Sequence, residues 1–327
     1  MPVKTMPPVA AAMAGAACIS SSAVLMRLAS TSASITALGR CAFALPVLGA
    51  LALLERRRGA PPMPSRRRWL ARLAGVFLAA DLILWSHAIT AIGAGLGTVV
   101  TNLQVLIISL LAWLILGERP RRPLVLASPA MLAGLALVGG LADAGGSRAY
   151  GTDPSLGVVY GVGVAILYAI YILMLRQATS SPGARTAVAA SLFEATLGAT
   201  AGSVVLGFAL QDYHLGHAWP TLGWLALLAL TSQVVGWLLI TVSMPQLPAA
   251  MIGALLLVQP AGSVALSYVI LGERPSMLQL LGVVLVLTGV LVAVNGRTPE
   301  AVYSRPRTRI IRHASAASTG TSESKSP

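Results

Sequence analysis

The hexapeptide Ile-Leu-Gly-Glu-Arg-Pro occurs twice in the chain, at Ile115–Pro120 and again at Ile270–Pro275, an offset of 155 residues (270 against 115). The flanking residues keep the same offset without a gap, so that Gln104 aligns with Gln259. Six identical residues in register with matched flanks indicate an internal duplication. We therefore expect two halves that share one fold.

The composition predicts a membrane protein. Of the 327 residues 56% are hydrophobic and only 10% are charged, with a mean hydropathy of +0.79. A soluble domain does not need so much apolar surface. The apolar blocks are about 18–24 residues long, which suits helices that cross a bilayer, and they lack the alternation of a membrane β-barrel.

We predict an all-α polytopic membrane protein with ten transmembrane helices. Their expected bounds are Pro8–Leu28, Ser34–Leu54, Leu70–Ile92, Ala94–Leu116, Leu124–Leu141, Leu156–Leu175, Thr186–Leu210, Trp219–Ser243, Ala249–Leu271 and Met277–Asn295. The first block could also be read as a signal peptide, but it continues well past Cys18, which favours a retained helix. Both cysteines fall inside apolar blocks, so neither a disulfide nor a metal site is expected.

The distribution of basic residues predicts the orientation. With both termini in the cytoplasm, every Lys and Arg lies on the cytoplasmic side except Arg27, Arg40, Arg148 and Arg274. Because each half has an odd number of spans, the halves enter the membrane in opposite directions, as inverted five-helix repeats. The net charge of +13 lies in short loops and the tail and not on a globular face, which argues against a nucleic-acid partner.

These features divide the chain into four parts. We expect a first five-helix repeat at 1–142, an external linker at 143–155, a second repeat at 156–295 and a disordered basic cytoplasmic tail at 296–327. The tail is rich in Ser, Thr and Ala and cannot bury a core, and its arginines are expected to contact lipid headgroups. The predicted location is the cell (plasma or inner) membrane.

The duplicated Leu-Gly-Glu-Arg helix ends, each followed by a Leu-rich helix with glycine, resemble the EamA family of the drug/metabolite transporter (DMT) superfamily. The segments around Asp81–Ile89, Thr101–Leu103 and Ser232–Ile240 are similar to one branch of it. The resemblance implies two EamA repeats and efflux or uptake of small metabolites. Val105 is a departure, since family members often carry a proline in this part of span four, as Pro260 does in span nine.

Polar residues at membrane depth are expensive, so they usually face a cavity or one another. Asp81 and Trp85 lie four residues apart and share one face of span three, with His87 about 120° away. We interpret them as cavity lining, with Asp81 binding a substrate cation or exchanging a proton. The alternative is a structural Asp81 bonded to a neighbouring helix or to Arg40.

Other candidates line the remaining central helices. In span four, one stripe carries Asn102 and another carries Gln104, which is matched by Gln259 in span nine; in spans six and eight the candidates are Tyr168, Tyr171, Gln233 and Trp237. Aromatic and amide groups suit amino acids or amphipathic metabolites through stacking and hydrogen bonds. Ordinary packing is the alternative.

Four residues are assigned structural roles. Arg40, inside span two, should pair with an acid or with helix-end carbonyl groups, although recognition of a substrate carboxylate is a second interpretation. Glu118 and Glu273 end the duplicated helices and are expected to cap or pair with arginines. Pro260 frees backbone carbonyl groups in span nine.

The leading hypothesis is a secondary transporter of small organic solutes, exporting amino acids or related metabolites by alternating access and not acting as an enzyme. No P-loop is present, so a proton gradient or exchange would supply the energy, and no cofactor is expected. A membrane-embedded enzyme or lipid-head-group translocator is the alternative, and a non-transporting sensor is a third. The partners expected are a small-molecule substrate, membrane lipid and coupled protons.

Overall fold

The computed structural model describes residues 6–116, 122–139, 153–179, 188–214, 218–243, 255 and 257–295. Within these ranges every element of regular secondary structure is a helix, and short loops connect the helices. We number the helices in chain order. Their bounds are α1 Pro8–Ala29, α2 Ala33–Arg57, α3 Ser65–Ile92, α4 94–116, α5 Arg122–Val138, α6 Pro154–Thr179, α7 Val188–Ala209, α8 218–243, α9 Val258–Leu271 and α10 Met277–Asn295.

Four helices contain an interruption. Helix α1 breaks at Ser21, and α4 contains a 3₁₀ turn at Thr101–Leu103. Helix α8 passes through a π segment at Ala229–Gly236, and α9 ends in another at Ser267–Leu271. Segments of this kind often lie at functional sites, because they turn side chains away from the ordinary helical register.

Seven of these helices, α1–α4 and α6–α8, are long and apolar enough to cross a membrane, while α5, α9 and α10 are shorter apolar helices. All ten lie where the sequence predicts spans, but the count of ten spans stays a prediction. Large apolar side chains such as Leu126, Phe208 and Val269 are largely exposed on helix surfaces, as expected of residues that face lipid. Nearly all of the predicted linker and the whole predicted tail lie outside the described residues.

Helices α2 and α7, which occupy equivalent places in the two halves, run antiparallel. The Glu55 carboxylate at the end of α2 accepts hydrogen bonds from the first backbone N–H groups of α7, at Ala189 (2.9 Å) and Ala190 (3.0 Å). At the opposite end, Asp212 follows α7 and its carboxylate accepts from the Ser34 N–H of α2 at 3.0 Å. Ser34 and Ala189 are themselves 155 residues apart, so the two donor positions are related by the duplication, whereas the acceptors Glu55 and Asp212 are not at equivalent positions.

Two further pairs of equivalent helices also run antiparallel. In α5 and α10, Gly134 lies against Gly282 and Met131 against Gly289, so the two helices approach closely in opposite directions. In α4 and α9, the end of α9 at Glu273 meets the start of α4 at Ala94. Antiparallel equivalents are what inverted repeats require.

The contacts between helices are also the same when the two halves are exchanged. Helix α3 packs on α6 and α7, and its counterpart α8 packs on α1 and α2. A large apolar core between them contains many alanines together with Leu78, Leu82, Trp85, Tyr171 and Leu225. Small residues let helix backbones approach closely. The resulting van der Waals packing stabilises helix association where lipid removes the hydrophobic driving force.

Candidate functional site

Arg40 lies at the centre of a buried group of polar side chains. Arg40 is only 5% exposed and lies on the face of α2 that meets α8. The guanidinium Nε donates to Gln233 Oε1 at 3.0 Å and Nη2 donates to Ser232 Oγ at 3.2 Å. In the described part of the chain the hydrogen bonds of Arg40 thus go to neutral side chains of the other half, and not to the acid or helix-end carbonyl groups expected from the sequence.

Two consecutive residues of the π segment of α8, Ser232 and Gln233, reach the same guanidinium through its Nη2 and Nε atoms. Around them, the Ser22 hydroxyl of α1 lies 2.7 Å from Ser232 Oγ, and Gln233 Nε2 lies 3.5 Å from Thr196 Oγ1 of α7. The group thus joins residues of both halves.

Asp81 and Trp85 occupy the neighbouring face of α3, as their four-residue spacing predicts. Both are buried, and the Arg40 guanidinium carbon lies 5.9 Å from the centroid of the Trp85 ring. Asp81 lies within electrostatic range of Arg40 but forms no ion pair with it within 4 Å. We call this group the central polar cluster, and its members are Ser22, Arg40, Asp81, Trp85, Thr196, Ser232 and Gln233.

Three buried polar atoms of the cluster have no hydrogen-bond partner among the residues that the structure describes. They are Arg40 Nη1 and Trp85 Nε1, which are donors, and Asp81 Oδ1, which is an acceptor. Leaving such a group unpaired costs about 1–3 kcal/mol, and more if it is charged, so buried polar groups are nearly always bonded. The cluster therefore contains two free donors and one free acceptor.

Two tyrosines of α6 adjoin the cluster. Tyr171 is buried and Tyr168 half-buried, with their ring centroids 5.7 Å apart, and both pack in the core that contains Trp85. Both lie within electrostatic range of Arg40 and Asp81. The structure thus brings together five of the predicted lining residues: Asp81, Trp85, Tyr168, Tyr171 and Gln233.

The other predicted lining residues lie elsewhere. His87 is exposed on the opposite side of α3, with its ring 5.8 Å from that of Tyr160. The Asn102 amide donates to the Thr98 carbonyl of its own helix at 2.9 Å. Trp237, directly after the π segment, packs in a separate apolar cluster with Leu48 and Leu192.

The symmetric pair Gln104 and Gln259 is half-buried, and in the described part of the chain neither side chain is hydrogen-bonded to the cluster. Pro260 is buried in α9. Glu118 lies outside the described residues. Glu273 caps a helix, but that helix is α4 of the other half and not part of the junction between α9 and α10.

Sequence reasoning missed Ser22, Thr196 and Ser232. Each is a small hydroxyl residue in an apolar helix, where such residues usually bond to their own backbone, so the sequence carries only a weak signal. Ser232 could have been found from its position next to Gln233.

Glu194, which has no evident partner in the sequence, pairs with Arg68 (2.8 Å) and Arg72 (2.6 Å) at another end of the bundle.

A cavity of about 410 Å³ lies beside the cluster, beyond Trp85 along α3. Its walls are polar on the side of Arg27, Ser86 and Thr90, and the remaining lining residues are Met26, Ser30, Thr31, Ile89 and Leu271. A second cavity of about 320 Å³ lies between the end of α2 and the start of α7, close to Glu194. Among the described residues no group of three or more His, Cys, Asp or Glu side chains could hold a metal ion.

Comparison with known proteins agrees with this architecture. A model of the EamA-like transporter family matches residues 6–140 and 155–295. A protein of known crystal structure, 19% identical, aligns over 88% of this chain and 98% of its own with a TM-score of 0.58, which shows a shared fold. No curated protein matches. Because the family match covers both halves, the chain belongs to the EamA-like transporter family of the DMT superfamily, whose members are membrane transporters of small solutes.

Proposed function

We propose that this transporter carries amino acids or closely related zwitterionic metabolites and that it binds them at the central polar cluster. The observation that carries the proposal is the pair of unpartnered charged groups, Arg40 Nη1 and Asp81 Oδ1, in one buried site. A guanidinium recognises a carboxylate through charge-assisted hydrogen bonds, and a carboxylate recognises an ammonium group in the same way.

The charge balance of the cluster favours a zwitterion over a simple ion. Arg40 can carry a positive charge and Asp81 a negative charge, and the two groups lie within electrostatic range of each other. A ligand with a carboxylate and an ammonium group adds no net charge to the buried site and can satisfy both free atoms. A simple anion or cation would leave one protein charge buried without a partner, which is unfavourable.

The aromatic residues beside the charges are suited to the rest of such a molecule. Trp85 and Tyr171 provide flat apolar surface, and the Trp85 Nε1–H is a free donor. Binding sites for small molecules commonly combine apolar walls with a few polar groups that fix orientation. This composition supports a substrate with an apolar or amphipathic side chain.

We propose alternating access as the mechanism. The antiparallel pairs α2 with α7 and α5 with α10 support it, because two equivalent halves of opposite orientation can exchange conformations and expose the same site to either side. The arginine distribution supports cytoplasmic termini. We propose the plasma or inner membrane as the location and export as the direction. Asp81 is the group we assign to proton coupling, and full retention of pH dependence in Asp81→Asn would contradict that assignment.

Counterflow in proteoliposomes tests the proposed substrate class. Vesicles containing the purified protein are preloaded with one unlabelled amino acid at a time and then given a trace of the same radiolabelled compound outside. We expect accumulation above protein-free vesicles for at least one member of the panel, and none for its decarboxylated amine. Absence of accumulation for every amino acid, with a second transporter active in the same lipid, would contradict the proposal.

A further inference from the structure

The second copy of the duplicated hexapeptide makes a contact between the halves. The Glu273 carboxylate, only 4% exposed as a residue, accepts hydrogen bonds from the first N–H groups of α4: Oε1 from Ala94 at 2.7 Å and Oε2 from Gly95 at 3.1 Å. Negative charge is favourable at a helix N-terminus, where backbone donors are unsatisfied. Glu273 therefore attaches the end of α9 to the beginning of α4.

Side chains next to this attachment hold the two helices in close contact. Ser263 Oγ of α9 lies 3.1 Å from Thr98 Oγ1 of α4, and a Cβ on Gly95 would lie 2.5 Å from Ser267 Oγ. All of these residues are buried. The two helices thus form a closed seam over about one turn, and the Glu273 carboxylate is the charged group at its end.

The backbone around the attachment is unlike that of the other carboxylate contacts between the halves. Gly93, directly before α4, has φ +101°, and Gly272, directly before Glu273, has φ +68°. The last turn of α9 is the π segment, and α4 changes to a 3₁₀ turn at Thr101. Glu55, by contrast, joins α2 to α7, which are uninterrupted helices of 25 and 22 residues.

The attachment also adjoins the cavity of about 410 Å³ beside the cluster. Ile89 and Thr90 line that cavity one turn before Gly93, and Leu271 lines it two residues before Glu273. A displacement of α9 at this end would move Leu271 and so change one wall of the cavity. The contact is thus placed where its release would alter the shape of this cavity.

We infer that the Glu273 carboxylate and the first turn of α4 form a releasable latch, which holds this end of the α4–α9 pair closed in the present conformation and opens during the cycle. The Glu55 contact is a permanent attachment of the α2–α7 pair by the same chemistry. Opening as part of a transport cycle rests on the proposed function, whereas the closed latch and its release can be measured without substrate.

Thiol accessibility tests the latch in the substrate-free protein. On a Cys18→Ser/Cys41→Ala background, a single cysteine replaces Thr98, which is 3% exposed behind the latch. We expect Glu273→Gln to raise its rate of alkylation by a small maleimide about tenfold, the shift produced by about 1.4 kcal/mol. Glu55→Gln, the matched control with the same type of cap, should leave the rate unchanged. An equal rate in Glu273→Gln and its parent, or an equal rise in both glutamine variants, would overturn the inference.

A cross-link tests release without altering Glu273. Thr98→Cys/Ser263→Cys places two thiols where hydroxyl oxygens now lie 3.1 Å apart, close enough for a disulfide to form after small adjustments. We expect oxidation to stop counterflow and reduction to restore it. Full counterflow by the oxidised protein would show that the seam need not open. If the uncross-linked parent transports no panel member, the proposed function fails, while the alkylation rates still decide whether the latch exists.

Discussion

Replacing Arg40 by glutamine should abolish discrimination between an amino acid and the same compound with its carboxylate converted to an amide. Nε and Nη2 are occupied by Gln233 and Ser232, at 3.0 and 3.2 Å, so Nη1 is the group left for a ligand. A hydrogen bond to a charged group contributes about 1.5–3 kcal/mol, which corresponds to a factor of roughly 10–150 in Kd.

The same substitution should leave the protein folded. A buried guanidinium gains two hydrogen bonds but pays a large desolvation cost, so its net contribution to stability is small. Glutamine can still bond to Gln233 or Ser232. Arg40→Lys, which keeps the charge but lacks the planar fork of donors, should give intermediate discrimination.

The assay compares four dissociation constants, one for each of two compounds with each of two proteins. Binding of the amino acid that gives the strongest counterflow, and of its carboxamide, is measured by calorimetry on the parent and on Arg40→Gln in detergent. We expect the parent to prefer the amino acid about 10–150-fold and the variant to bind both compounds alike. A folded Arg40→Gln protein that discriminates as strongly as the parent would refute the assignment of the carboxylate to Arg40.

Three further predictions concern the surroundings of the cluster. Glu194→Gln removes the ion pairs to Arg68 and Arg72, of which only Arg72 is well shielded, so it should reduce stability by about 1 kcal/mol in thermal unfolding, and a midpoint equal to that of the parent would contradict this. His87→Ala should leave the transport rate unchanged, because the ring faces away from the cluster; a severalfold fall in counterflow would place it in the path. Gly93→Ala should destabilise the protein by about 1–3 kcal/mol, since φ is +101° and the new Cβ would lie 3.1 Å from the Glu273 carboxylate; an unchanged unfolding midpoint would show that the turn adapts.

The main lines of the fold could be predicted because they depend on long-range regularities of the sequence. The 155-residue offset pairs Ser34 with Ala189, and the structure joins these helix starts to carboxylates at opposite ends of one antiparallel pair. The lengths of the apolar blocks predicted most helix boundaries to within a few residues. The helical spacing of Asp81 and Trp85 correctly placed both on one buried face.

The details of the site could not be predicted because they depend on departures from regular helix. The π segment of α8 contains both Ser232 and Gln233 and ends directly before Trp237, which packs in another apolar cluster, and nothing in the local composition marks this segment. The contact from Glu273 to α4 depends on which helices adjoin, which a single sequence does not encode directly. His87 was misplaced since a polar residue near a helix end can face either a cavity or the surface.

In the proposed mechanism solute crosses the membrane by way of the central polar cluster, and a comparison of two buried acids distinguishes this cluster from the rest of the bundle. Counterflow of the best amino acid is measured for Asp81→Asn and for Glu194→Gln, at matched amounts of folded protein in the same lipid. We expect Asp81→Asn to lose accumulation, because the amide keeps an acceptor oxygen but lacks the negative charge that binds the substrate ammonium group, while Glu194→Gln accumulates solute at the rate of the parent. Transport by Asp81→Asn at the rate of the parent, with an unchanged KM, would contradict it.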